Sequence, residues 1–221
     1  LVDGGGELIL SGDNSGVSGG TTIANGYLNV GASATGLPPG AVTFNSASNN
    51  PAILMASGTL TPNFGSDYEW SGPGGFAATD SALTVTSNGG AVANWRGSTG
   101  FNGDNNPQMG SPTSTAPVTI TNPFSLGWNS SVRLFDNPAS NDDISILSGD
   151  LTMGGNYTLQ INGTGTLSLE GTNEFNTGTL QLNNGVVVRA VDGVGLDSSA
   201  KLYVNNGILE SSGSFTRYIN N

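Results

Sequence analysis

The apolar residues of this chain lie in short segments that alternate with polar residues along nearly its whole length. Examples are YTLQIN at 157–162, TLQLN at 179–183 and KLYV at 201–204. Alternation with period two places successive side chains on opposite faces of a strand. Gly, Asn, Asp, Ser and Pro separate the segments, and no stretch of about a dozen residues shows a helical stripe. The pattern therefore predicts an all-β protein.

The end of the sequence repeats its beginning in the same order. ELILSG at 7–12 is echoed by TLSLEG at 166–171, and TTIANGYLNV at 21–30 by TGTLQLNNGVVV at 177–188. AILMASGTL at 52–60 is echoed by GILESSGSF at 207–215. Ordered self-similarity favours a β-solenoid, in which each coil packs on the next. A sandwich is the alternative, because Asn-Gly pairs typical of hairpins recur in the chain.

Composition excludes several classes of protein. Among 221 residues, 35 are glycine, 10% are charged, and 16 acidic side chains face 5 basic ones. The basic residues are scattered, so no basic stripe exists to meet nucleic acid or an anionic membrane. There is no Cys for a disulfide framework and no apolar run of about 20 residues for membrane insertion. This balance suits a secreted or cell-surface protein, which we expect to be extracellular.

The middle of the chain differs from its ends. Residues 63–116 contain Trp70, Trp95 and two Gly-Gly pairs, and residues 110–117 form a Pro-bearing polar stretch. We predict one solenoid domain over 1–221, with a first repeat copy at 1–62, middle coils with a loop excursion at 63–158 and a truncated second copy at 159–221. Long irregular loops often carry function.

Two segments carry a resemblance to a known family. The first, at 6–31, and the second, at 165–188, resemble the autotransporter-associated β-strand repeat. The matching positions of the first are Leu8, Leu10, Ser11, Gly12, Asn14, Gly19, Gly20, Thr21, Thr22, Gly26, Leu28 and Val30. Those of the second are Gly165, Leu167, Leu169, Gly171, Asn173, Gly178, Leu180 and Gly185. The second copy departs from the repeat in its turn, where Asn176-Thr177-Gly178 replaces Gly-Gly-Thr.

The resemblance implies a right-handed parallel β-helix in a large secreted or cell-surface bacterial protein with an adhesive or scaffold role. The family shares no catalytic residues, so the resemblance implies none here. Together with the sequence pattern, it predicts an all-β, right-handed parallel β-helix (β-solenoid) with a long irregular excursion in the middle.

Few residue groups in the sequence suggest chemistry. Without His or Cys, neither Ser-His nor Cys-His catalysis is available, and we expect no catalytic residue and no cofactor. The densest acidic segment contains Asp136, Asp142 and Asp143, which are the weak candidates for a cation site. The alternative, which we favour, is an acidic turn with Arg133 of the preceding strand facing solvent. DGVGLD at 192–197 is interpreted as a tight corner rather than a Ca²⁺ loop.

Aromatic residues leave a second function open. Trp70 with Phe76, or Trp95 with Phe101, could form a platform for sugars, and core packing is the alternative, which we favour. An adhesin module that binds surface glycans through 63–116 is therefore the second candidate function. A β-helix polysaccharide lyase or hydrolase is the third, and it would need converging carboxylates or an Arg–acid pair.

The first candidate function is a structural repeat unit that assembles end to end with copies of itself or with further repeats of the same polypeptide. The second copy stops at Asn221, where the segment matching the first copy would continue, so we expect contact between open coil faces. The residues expected in that assembly are Leu8, Ile9, Leu10, Ile208, Leu209, Phe215 and Tyr218. The residues expected in the core are Leu8, Leu10, Leu28, Val30, Leu167, Leu169, Leu180, Leu182, Leu202 and Val204.

Overall fold

A computed structural model shows a parallel β-solenoid of about seven turns. It describes residues 1–32, 37, 39–47, 50–102, 106–191 and 193–212. All pairings between the named strands of these residues are parallel, which confirms the solenoid and excludes the sandwich for this part of the chain.

The described residues form twenty strands, which are short apart from β5 and β7. In chain order they are β1 (Glu7–Ile9), β2 (Thr21–Ile23), β3 (Gly26–Asn29), β4 (Val42–Phe44), β5 (Ala52–Leu60), β6 (Tyr68–Trp70), β7 (Gly74–Val85), β8 (Ala93–Asn94), β9 (Pro107–Met109), β10 (Val118–Ile120), β11 (Phe124–Leu126), β12 (Ser130–Leu134), β13 (Ser145–Leu147), β14 (Leu151–Met153), β15 (Thr158–Gly163), β16 (Thr166–Leu169), β17 (Thr179–Asn183), β18 (Val187–Ala190), β19 (Lys201–Asn205) and β20 (Ile208–Glu210).

The strands line three sides of the solenoid. Side A stacks β1, β3, the first half of β5, the first half of β7, β9, β12, β15, β17 and β19. Side B stacks the second halves of β5 and β7, then β10, β13, β16, β18 and β20. Side C consists of two three-stranded stacks, β2-β4-β6 and β8-β11-β14. A strand on one side pairs with a strand 20 to 35 residues away, so one coil is the structural repeat.

Alternation along each strand decides which side chains enter the core. On side A, Leu159, Leu180 and Leu202 are register partners in successive coils, and all three are buried. The intervening residues point outward. Strands in neighbouring coils lie about 4.8 Å apart, so like side chains stack directly on one another along the axis.

Aromatic rings fill the interior behind side C. Phe44 lies 4.9 Å from Trp70, measured between ring centroids, and Phe124 lies 5.0 Å from Trp95. Phe101 contacts both tryptophans, at 5.2 Å from Trp70 and 5.0 Å from Trp95. It therefore continues the aromatic column across the gap between β6 and β8. Such offset and edge-to-face contacts add to the stabilisation from burial.

Seven of the ten expected core residues are buried. Three are not: Leu8 is 44% exposed, Val204 is 38% exposed, and Leu10 is partly buried. Leu8 and Val204 lie on the outermost described rungs, where a coil covers the side chain from one direction only. Alternation predicts which face of a strand a residue occupies, but burial also requires neighbours on both sides.

The segments that match in sequence do not occupy the same side of the solenoid. ELI at 7–9 lies on side A, whereas its counterpart TLSL at 166–169 lies on side B. TTI at 21–23 lies on side C, whereas TLQLN at 179–183 lies on side A. Strands of every side need the same alternation and similar corners, so their sequences resemble one another. The boundary expected at 158/159 falls within β15.

Most of the predicted excursion at 63–116 belongs to the solenoid wall. It contributes β6, β7, β8 and β9, all paired with neighbouring coils. Two connections are longer and irregular, from 95 to 106 and from 110 to 117. Residues 103–105 of the first connection lie outside the described residues.

Buried amide side chains tie the corners of successive coils together. The Asn122 Oδ1 accepts a hydrogen bond from the Ser87 N–H at 2.7 Å, and its Nδ2 donates to the carbonyls of Ser87 and Ala91 at 2.8 and 2.9 Å. Asn173 accepts from the Leu151 N–H at 2.7 Å and donates to the Gly195 carbonyl at 3.0 Å. These bonds satisfy backbone groups that turn away from the ladders.

Replacing Gly163 by Ala tests how closely adjacent coils approach. Gly163 has a φ of 107°, and a Cβ there would lie 2.0 Å from the Leu134 carbonyl oxygen of the preceding coil. We expect Gly163→Ala to lower the free energy of unfolding by roughly 3 kcal/mol, measured by urea denaturation. Gly185→Ala is the matched control, because its φ is 85° and a Cβ would meet nothing within 4 Å. It should cost about 1 kcal/mol. Equal losses in the two variants would contradict the close approach.

Candidate functional site

Outward-facing amides form a ladder on side A. The Asn183 Nδ2 donates to the Asn162 Oδ1 at 3.0 Å, and the Asn205 Nδ2 donates to the Asn183 Oδ1 at 3.2 Å. Gln181 Nε2 also donates to the Asn183 Oδ1, at 3.0 Å. The ladder follows from strand register, because Asn183 pairs with Asn205, and the Ile161–Leu182 pair sets Asn162 beside Asn183. Asn162 in turn pairs with Arg133. The ladder leads along the solenoid axis to the Arg133 side chain.

A polar groove of about 550 Å³ opens at Arg133. Its lining includes Ser131, Asn162, Thr164 and Asn184, and Arg133 is the one charged side chain among the described lining residues. The Arg133 guanidinium carbon lies 5.6 Å from the centroid of the Phe135 ring, a distance at which the ring face attracts a cation. Part of the floor is fixed, since Gln108 accepts from the Ala52 N–H and donates to the Asn50 carbonyl, both at 2.8 Å.

An exposed aromatic pair lies at the corner where the chain enters these coils. Trp128 is 62% exposed, and its ring lies 6.5 Å from that of the half-buried Tyr157. The backbone of this corner is fixed by its neighbours. Asn129 accepts a hydrogen bond from the Thr158 N–H at 2.9 Å, and Arg96 donates to the Asn129 carbonyl at 3.2 Å.

The polar stretch at 110–117, here called the strap, lies against the outside of the wall. It meets a second apolar cluster of Ile53, Met55 and Ala77, and the Thr113 Oγ1 lies 3.9 Å from the Met55 sulfur. Thr113 also donates to Glu7 at 3.1 Å. The Ser114 carbonyl accepts a hydrogen bond from the Asn137 Nδ2 at 2.8 Å. The strap thus connects several coils and has a packing role.

The three aspartates of the acidic segment are not grouped together in the described structure. The described residues contain no group of three or more Asp, Glu, His or Cys placed to hold a metal ion, so Asp136, Asp142 and Asp143 do not converge on one. Asp143 instead accepts a hydrogen bond from the Asn137 N–H at 2.7 Å, as expected of an acidic turn. Burial, with the negative charge of Asp143, raises the pKa of Asp136 above its ordinary 3.8.

Asp197 holds a corner, as the interpretation of 192–197 predicts; Asp192 lies outside the described residues. Its carboxylate accepts from the Phe175 N–H of the preceding coil at 2.6 Å and from the N–H groups of Ser199 and Ala200 at 2.8 Å. Burial raises the pKa of Asp197, but these bonds and one from the Ser199 hydroxyl outweigh burial. The pKa therefore lies below its ordinary value of 3.8.

The aromatics at 63–116 considered as a sugar platform are in the core. Trp70, Phe76, Trp95 and Phe101 are all at most 2% exposed, so a ligand in solvent does not reach their ring faces. Core packing, the alternative, is confirmed for these four residues. Trp128 is the exposed tryptophan. Its position in a Gly-Trp-Asn-Ser turn between two strands was the available sequence signal for a corner.

Five of the seven residues expected to assemble lie at the two ends of the described solenoid. Leu8, Ile9 and Ile208 are exposed, and Leu10 and Leu209 are partly buried. Phe215 and Tyr218 lie outside the described residues. The structure therefore places apolar side chains at both ends, on β1 and on β20.

Comparison of the chain with protein-family models, with curated proteins and with solved structures finds no match. The resemblance to the autotransporter-associated repeat stays a prediction. None of the described segments forms a helix that is long and apolar enough to span a lipid bilayer.

Removing the Asp197 carboxylate should destabilise the protein in a pH-dependent way. The depressed pKa means that its contribution is complete above 3.8 and is lost as the pH falls through the lower pKa of the folded state. We expect Asp197→Ala to lower the free energy of unfolding by about 1–2 kcal/mol at neutral pH. The difference from the unaltered chain should shrink below pH 3.8 in urea titrations.

Asp142→Ala is the control, since the Asp142 side chain lies in an exposed turn. At each pH from neutral to acidic, Asp142→Ala should have nearly the same unfolding midpoint as the unaltered chain. A loss for Asp197→Ala that stays constant across this range would show that its carboxylate charge does not stabilise the corner.

Proposed function

We propose that this chain is a structural segment of an extracellular bacterial fibre or cell-surface protein, which joins other segments by stacking solenoid coils end to end. The partner is a second copy of the chain or a further coil of the same polypeptide. Both present the same kind of surface, the open face of a coil. The segment lengthens a rod and performs no chemistry of its own.

The observation that carries the proposal is the outer edge of β1. This strand pairs with β3 along one edge, and within the described residues no strand pairs with its other edge. Leu8 and Ile9 are exposed on it. An unpaired strand edge with apolar side chains recruits another strand through backbone hydrogen bonds.

The opposite end of the described solenoid has matching chemistry. Val204 on β19 and Ile208 on β20 are exposed apolar residues, and both strands lie at the end of their stacks. Contact between unlike ends is heterologous and does not close on itself, so repeated association produces an open filament. The low charged fraction, 10% of residues, keeps repulsion between stacked coils small.

Sedimentation measured over a range of protein concentrations tests this proposal. We expect larger species to grow with concentration and to persist at high salt, because strand pairing and apolar contact are not screened. Electron microscopy should show rods of constant width. Ile9→Lys should suppress the large species, since a lysine on an edge strand blocks pairing.

Val92→Lys is the matched control, because Val92 is 66% exposed and Ile9 is 65% exposed. Val92 differs in position, since it lies just before β8 on the side of the solenoid and not at its end. It should associate like the unaltered chain. A single monomeric species at every concentration, or equal behaviour of the two variants, would contradict end-to-end stacking.

A further inference from the structure

Two adjacent rungs of side A carry an unusual line of outward side chains. Trp128 and Tyr157 precede β12 and β15, and Arg133 and Asn162 lie near the ends of the same strands. Ser131 and Gln160 are register partners between them. Trp128 and Arg133 are five residues apart, which is at most about 16 Å along an extended chain.

We propose that this line of side chains, with the groove at Arg133, is a binding site for a linear acidic glycan. The glycan carboxylate pairs with the Arg133 guanidinium, and a sugar ring stacks on Trp128. This inference goes beyond the proposed structural role and does not depend on coil stacking, because the site lies on the side of the rod.

Charge selects an anionic ligand at one end of the site. The chain has a net charge of −11, and the groove places the positively charged Arg133 side chain among neutral polar residues. Guanidinium binds a carboxylate through two parallel hydrogen bonds. The Phe135 ring under Arg133 limits the orientations of the guanidinium, which reduces the entropy lost on binding.

The remaining groups suit a sugar. Ser131, Asn162, Thr164 and Asn184 bring hydroxyl and amide groups to the groove, and these both donate to and accept from sugar hydroxyls. Trp128 presents an apolar ring face to solvent beside Tyr157. An apolar ring with polar groups placed around it binds a ring that is itself apolar on its faces and polar at its edge.

The site is built on rigid elements. β12 and β15 share five register pairs, and Gln108 fixes the floor through two hydrogen bonds to the chain at 50–52. The Trp128 corner is bound to the next coil through Asn129 and Thr158. A preorganised surface of this kind loses little conformational freedom when a ligand binds.

Calorimetric titration with a linear galacturonic acid oligosaccharide tests the proposal, with a neutral glucose oligosaccharide of equal length for comparison. The acidic oligosaccharide should bind and the neutral one should bind more weakly. Arg133→Gln should raise the Kd for the acidic ligand by about tenfold and leave the neutral ligand unaffected. Lys201→Gln removes the same charge from side A away from the groove and should change neither.

Trp128→Ala separates stacking from charge, and it should weaken both oligosaccharides by a similar factor. Thermal unfolding checks that each variant is folded. If Arg133→Gln does not fold, Arg133→Lys is measured in its place. Arg133→Lys keeps the charge but loses the paired hydrogen bonds, so it should bind with intermediate affinity.

Three outcomes would overturn the proposal. The first is absence of binding by the acidic oligosaccharide to the unaltered chain. The second is an equal effect of Arg133→Gln and Lys201→Gln, which would indicate a general charge effect. The third is equally tight binding of a poly-glutamate peptide, which would assign the site to acidic polypeptides.

Discussion

In-register pairing between consecutive coils is the interaction on which the rest of this structure depends. Each strand donates and accepts backbone hydrogen bonds along the solenoid axis, and its partner lies one coil away. A slip by one residue would turn Leu180 and Leu182 outward and bring Gln181 into the core. Burial of the apolar residues therefore fixes the register, and the register in turn fixes the position of every outward side chain.

The outer surface follows from that register. Neighbouring coils are about 4.8 Å apart, and outward residues on one strand are about 6.6 Å apart, so the wall presents side chains on a regular lattice. The amide ladder of Asn162, Asn183 and Asn205 is one result of this lattice. The groove at Arg133 lies at one end of this ladder. The same hydrogen-bond direction that holds the coils together leaves a strand edge open at β1. The proposed side-on binding and the proposed end-on stacking thus rest on one geometry.

Alternation in the sequence predicts the strands and most of the core, because the period of two is a local property of each strand. It does not predict which side a strand occupies. Partners are 20 to 35 residues apart, and strands of every side share the same pattern, so ELI at 7–9 resembles TLSL at 166–169 although they lie on different sides. Pairing is a nonlocal property that short-range patterns leave open.

The candidate sites show the same division. The acidic turn and the Asp197 corner could be predicted, because Asp accepting backbone hydrogen bonds is a local feature. The core packing of Trp70 and Trp95 could be predicted too, because large apolar side chains are usually buried. The aromatic column that they form with Phe101 could not, since each tryptophan lies in or beside a strand of only two or three residues. Arg133 and Asn162 belong to one surface only because β12 and β15 pair, which no spacing in the sequence reveals.

Engineered disulfides test the in-register stacking of coils most directly, because the chain has no Cys of its own. Ser131 and Gln160 are outward register partners in adjacent coils, so cysteines at both positions lie within the range of about 4.4–6.8 Å that a disulfide needs between Cα atoms. Gln181 is one coil further, about 10 Å from Ser131, and cannot be bridged to it. Peptide mapping after mild oxidation should find the 131–160 disulfide and no 131–181 disulfide. A 131–181 disulfide within one folded chain, or failure of 131–160 to form, would contradict the stacking of coils in this register.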